Sequence, residues 1–127
     1  MKEDDVLHNI YFYRDKNGNS QVEDYLTDLS SMTDKDSRVK LKKIYEYIQA
    51  LQDYGTAIGQ PYLKHIDGDI WELRPHKDRI FFVGWHNGSY VLLHTFVKKT
   101  QKTPQREIEQ AKREYKDLQE RGLEDEE

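Results

Sequence analysis

The chain gathers cations where strands end. "VLLHTFVKKTQKTPQRE", residues 91–107, runs from an apolar, strand-like segment into Lys98, Lys99, Lys102 and Arg106, with no acid before Glu107. Upstream, "WELRPHKDRIFF" adds Arg74 and Arg79, one at the end of a strand-like run and one at the start of the next. Such groups suit a phosphate, because a guanidinium fork matches phosphate oxygens two at a time. His94 brings an unperturbed pKa of about 6.5 and so a proton acceptor near neutral pH. Phe96, between His94 and the lysines, offers a flat face beside the cations, so the set fits a ligand with both phosphate and base. His65, His76 and His86 fall in loops and show no metal-ligand spacing. With no cysteine, disulfides, thiolate metal sites and a Cys nucleophile are all excluded.

The surrounding charge sharpens this pattern. The 127-residue chain has a net charge of -4. Residues 71–106 nevertheless hold seven Lys/Arg against two Asp/Glu, while residues 107–127 hold four against nine. A basic middle between acidic ends points to a local anion site, not to a surface that coats nucleic acid. Without further support, Lys98, Lys99 and Lys102 are equally an ordinary solvated patch. The length suits one domain, residues 1–127, and no 18-residue apolar run is present, so a cytoplasmic protein without a membrane segment is expected.

The elements that must position these groups are legible in the periodicity. Val6 to Tyr13 reads as a strand, and a turn follows at residues 15–19. Ser20 with Glu23 forms a capping box before a helical stripe of Val22, Tyr25, Leu26 and Leu29. A second helix is predicted from Asp34 to Asp53, with Leu41, Ile44, Tyr45, Ile48 and Leu51 on one face, completing an αα-hairpin. Ile70–Arg74, Arg79–Trp85 and Tyr90–Val97 read as three strands, the last two joined by an Asn87-Gly88 hairpin turn. Thr103 as N-cap and Pro104 as first helical residue open a final helix, and an acidic, frayed tail starts near residue 122. The expected class is α+β, in the order β-α-α-β-β-β-α, with an antiparallel meander packed on helices. Strict alternation places Ile70, Glu72 and Arg74 on one face, and Tyr90, Leu92, His94, Phe96 and Lys98 on one face of the last strand.

"WELRP", "DRIFF" and "LLHTFVKKTQKTPQREIEQAKR" resemble the HigB-type, phage Gp49-like branch of the RelE/ParE toxin superfamily, over about residues 8–120. The resemblance implies a microbial RNase-like RelE fold and the toxin of a type II toxin–antitoxin pair. Its implied activity is metal-independent, ribosome-dependent cleavage of mRNA, with no cofactor. Its implied partner is a helix-turn-helix, HigA-type antitoxin, through which alone it reaches operator DNA. Carried over by position, Arg79 matches the arginine at the scissile phosphate, and Arg74 a second arginine on the neighbouring strand. Lys98 and Lys99 match cations at the end of the last strand. Lys102 belongs to the branch's motif, and Lys64 lies where relatives carry basic residues. Phe96 and Arg106 join Lys64 and Lys102 as expected RNA contacts.

In that chemistry the ribose 2′-OH attacks the adjacent phosphorus, and Arg74 and Arg79 hold the charge that grows on the phosphoryl oxygens. On the resemblance, Lys98 or Lys99 stands ahead of His94 as base. Plainer roles exist for each group. Arg74 can pair with Glu72, His94 can be a satisfied structural histidine, and Trp71 and Trp85 are core residues. Two other functions compete: a ParE-like inhibitor of DNA gyrase without nuclease chemistry, and a phage-derived module that binds a protein through the helical hairpin.

Overall fold

Ser20 and Asp34 start the two helices of the hairpin. In the computed structural model, which describes residues 7–123, Ser20 Oγ accepts the Glu23 N–H at 3.1 Å. Asp34 Oδ2 accepts the Ser37 N–H at 3.0 Å. Each such cap is worth about 1 kcal/mol. They open α1 (Gln21–Ser30) and α2 (Lys35–Tyr54). The capping box of α1 is half made, because the Glu23 carboxylate turns to Arg14 at 2.7 Å. Val22, Leu26 and Leu29 of α1 and Ile44, Ile48 and Leu51 of α2 are buried on the same side of a sheet.

That sheet has five strands, β1 (Ile10–Phe12), β2 (Leu63–Asp67), β3 (Ile70–Leu73), β4 (Asp78–Gly84) and β5 (Tyr90–Val97), in the order β1-β5-β4-β3-β2. The expected α+β class and meander are present, with two differences. β1 runs parallel to β5, so the sheet is mixed and not wholly antiparallel. The long crossover from β1 through both helices and the meander permits that direction. β2 is an additional edge strand, with the burial of Leu63 and the exposure of Lys64, His65 and Asp67 giving too little apolar alternation to mark it in the sequence. At the predicted hairpin, Asn87 (φ 58°) and Gly88 (φ 72°) both take the left-handed conformation of a type I′ turn.

The second face carries Ile70, Phe81, Val83, Val91 and Leu93 beneath Ala111 and Leu118 of α3 (Gln105–Arg121). α3 begins one residue later than predicted. Pro104 flanks it without a side-chain cap, and Thr103 is drawn away to Glu72. Opposite β4, the register slips: Phe81 faces His94, yet Phe82 faces Leu92. The extra residue is a β-bulge, and it breaks the alternation expected of β5. Tyr90 and Leu92 pack with the helical hairpin, whereas His94 and Phe96 lie on the α3 side. The expectation of one continuous face from Tyr90 to Lys98 is therefore corrected. The expected strand start at Val6 and the acidic tail at 124–127 lie outside the described residues.

Candidate functional site

The α3 side of the sheet is the one that collects charge. Register places Glu72 opposite Phe81, and Arg79 opposite Phe96, so these four share that face. Lys64 stands opposite Glu72 on β2 and so joins them at the edge. Arg74 follows Glu72 by two residues and returns to the same side. Beyond β4 and β5, the Lys98 N–H continues the pairing by donating to the Lys77 carbonyl at 2.8 Å.

At the centre is a carboxylate. Glu72 is fully buried, and its Oε1 lies 3.4 Å from Arg74 Nε and 3.7 Å from Arg79 Nε. Both separations exceed the roughly 2.7–2.9 Å of a charge-assisted hydrogen bond. Glu72 Oε1 and both Nε atoms are buried without a hydrogen bond. Thr103 Oγ1 donates to Glu72 Oε2 at 3.0 Å, tying the loop before α3 to the same carboxylate. Arg79 is further fixed by its Nη1, which donates to the His76 carbonyl at 2.6 Å and the Asp78 carbonyl at 2.9 Å. One carboxylate thus serves two guanidiniums, and the local charge stays positive.

Lysines extend the cluster outward. Burial first, then Arg79, hold the half-buried Lys98 ammonium below the usual lysine range; Glu72 opposes this, and Arg74 and Lys64 add to it. Lys98 and Lys99 line an open groove of about 410 Å³ with Arg79 and Lys77. Lys99 also borders an adjoining groove of about 290 Å³, whose walls include Phe96, Pro104 and Arg106. Lys102 lines neither groove; it is exposed, and its carbonyl accepts from Thr100 Oγ1 at 2.7 Å.

His94 stands apart in character. It is 2% exposed, with Nδ1 2.7 Å from Glu114 Oε1 and Nε2 2.9 Å from Glu107 Oε1. Each nitrogen faces a carboxylate oxygen, an arrangement that favours the protonated ring. Burial pulls its pKa down, but Glu114 and Glu107 outweigh burial and push it up. A base needs a free nitrogen within reach of its proton, and His94 has none here. Its position suits the plainer structural role, clamping α3 to β5.

Arg74, Arg79, Lys98, Lys99 and Lys64 thus come together at one end of the sheet, with Phe96 and Arg106 alongside. Sequence reasoning assigned no site role to Glu72, Thr103 or Lys77. For Glu72 a signal existed, an acid two residues from Arg74 in an otherwise apolar strand. Thr103 gave none, because its residue type is equally good as a helix cap. Among the described residues, no three His, Asp or Glu side chains are grouped as a metal site requires. No described helix is long and apolar enough to cross a membrane.

A sequence-family profile described as "Phage derived protein Gp49-like" matches residues 27–116. No curated protein matches the sequence. Among solved structures, the fold is similar to a chain of the archaeal RelE–RelB complex from Pyrococcus horikoshii OT3, with a TM-score of 0.54 and 12% identity, covering 73% of this chain and 97% of that one.

Proposed function

Since the chain belongs to the phage-derived Gp49-like family and carries a RelE-like fold, we propose that it is the toxin of a toxin–antitoxin pair that cleaves mRNA on the ribosome. The observation that carries this reading is the convergence of Arg74, Arg79 and Lys98 around one buried carboxylate at the open end of the sheet. An RNA phosphodiester placed there meets Arg79 on the groove floor and Arg74 behind it. The ribose 2′-OH attacks the adjacent phosphorus, the bond to the 5′ oxygen breaks, and a 2′,3′-cyclic phosphate and a 5′-OH result. Lys98, with its lowered pKa, takes the 2′ proton in its neutral form. Lys99, on the same groove, returns a proton to the departing 5′ oxygen. Negative charge growing on the phosphoryl oxygens is met by guanidinium groups already fixed in place.

The remaining roles follow from position. Phe96 and Arg106 extend the path along the adjoining groove, Lys64 contacts RNA at the β2 edge, and Lys102 guides it from outside. A helix-turn-helix antitoxin is the proposed partner; the similar archaeal RelE was solved bound to RelB. The single domain acts in the cytoplasm, and with a net charge of -4 its hold on the ribosome rests on this one basic patch.

Induction without an antitoxin is expected to arrest growth and translation. Arg79→Ala removes one oxyanion donor, worth about 3–4 kcal/mol or roughly 10²–10³ in rate, and should relieve the arrest while the protein stays folded by circular dichroism. A folded Arg79→Ala variant as toxic as the parent would overturn the nuclease reading.

A further inference from the structure

A second groove opens on the other side of the same strand end. Its volume is about 490 Å³, within the roughly 300–1,000 Å³ of small-ligand clefts, and it lies between α2 and the turn joining β3 to β4. Val39 of α2 and Val97 of β5, 50% and 37% exposed, form apolar walls together with Pro75. Asp78 is 1% exposed among the lining residues, and its charge is answered on site: Tyr25 Oη donates to it at 2.6 Å and Lys40 Nζ lies 3.7 Å away. The groove is thus apolar and close to neutral, unlike its neighbour.

Lys77 lines both grooves. Asp78 and Arg79 are consecutive in β4 and point to opposite faces, so the strand end separates a cationic groove from an apolar one. A nucleotide is divided in the same way, into a charged phosphate and a flat, largely apolar base. We propose that this groove holds the base of the nucleotide beside the cut, with Lys77 bridging the two grooves and contacting the phosphate between them. Val39, Val97 and Pro75 then supply the faces against which the base packs, as bases turned out of a stack are held between aromatic or apolar side chains. The pairing of the two grooves favours RNA over a protein segment, because a peptide has no need of an apolar cleft that shares a lysine with a cationic groove across one strand end.

This assignment rests on the endoribonuclease reading, and the experiment separates the two. Ribosomes programmed with a defined mRNA are incubated with the parent protein, Val39→Asp and Val97→Asp. Both substitutions are at exposed positions that do not line the cationic groove; Val97 also borders the adjoining groove with Phe96 and Arg106, so Val39→Asp is the deciding variant. The same messages are also made with an abasic nucleotide on either side of the cut. The parent should lose rate on one abasic message, by up to the roughly 5- to 150-fold that a base stacked on an aromatic ring is worth, the aliphatic walls placing it toward the low end. The Asp variants should lose a similar factor on the intact message and little more on that abasic one. Variants that cut intact messages at the parent's rate and base preference would overturn the assignment, including when they escape antitoxin neutralisation, which would mark the groove as a protein contact. No cleavage by the parent on any message would bring down the endoribonuclease reading, and this assignment with it.

Discussion

Among single residues, Glu72 has the least ordinary surroundings. A fully buried carboxylate is costly unless cations and hydrogen bonds answer it, and here two guanidiniums and Thr103 do so. In return it holds Arg74 and Arg79 by their Nε sides. Glu72→Gln keeps the shape and removes the charge. The cluster then becomes more positive, so RNA binding should not weaken, while the guanidiniums lose their anchor. We expect kcat to fall about 10²-fold with KM unchanged or lower, as for a displaced catalytic group. Because Glu72 pulls the Lys98 pKa upward, its loss should also move the ascending, low-pH limb of the pH–rate profile, where the base loses its proton, to lower pH. Unchanged kcat with an unshifted profile would reduce Glu72 to a packing residue.

The scale of elements explains both what the sequence revealed and what it concealed. The helix stripes apart from Tyr45, which is exposed, the Ser20 cap and the Asn87-Gly88 turn are local signals and stand where the sequence placed them, while Asp34, expected as the first residue of α2, caps it instead. The β5 bulge is not local: it exists only in the pairing with β4, so strict alternation put Leu92 and His94 on one face when they lie on two. For His94 the sequence offered both a base and a satisfied structural histidine, but not the partners Glu107 and Glu114, which come from α3. Arg74, Arg79 and Lys98 were legible as cations at strand ends; the carboxylate between them became a site residue only once β3 and β4 were in register.

His94 also gives α3 a pH dependence with a definite sign. Its folded pKa is raised, so its stabilisation is fully present below about pH 6.5 and is lost as pH climbs through the folded value. Thermal unfolding should show the parent losing stability above neutral pH, whereas His94→Leu should be less stable at pH 6 and flat over that window. Breaking a fully buried pair costs roughly 3–5 kcal/mol. The cost here should be smaller, because Glu107 and Glu114 remain 16% and 14% exposed and keep some water. A parent that is equally stable from pH 6 to 9 would remove the clamp role.

At the scale of the whole molecule, an acidic chain presents a basic working end. Helices cover the sheet on both faces, and the strand ends carry Arg74, the largely buried Arg79, Lys98 and Lys99 between the helical hairpin and α3. This division suits a protein that must reach one phosphodiester without adhering to nucleic acid at large. The proposed cleavage is made by a ribose 2′-OH turned on its own phosphate by these cations. It is tested most directly by incubating the protein with ribosomes carrying an mRNA that has a single 2′-O-methyl group at the cleaved nucleotide. Cleavage should vanish at that position, persist at unmodified sites and leave 2′,3′-cyclic phosphate ends there. Continued cutting at the methylated nucleotide would contradict it.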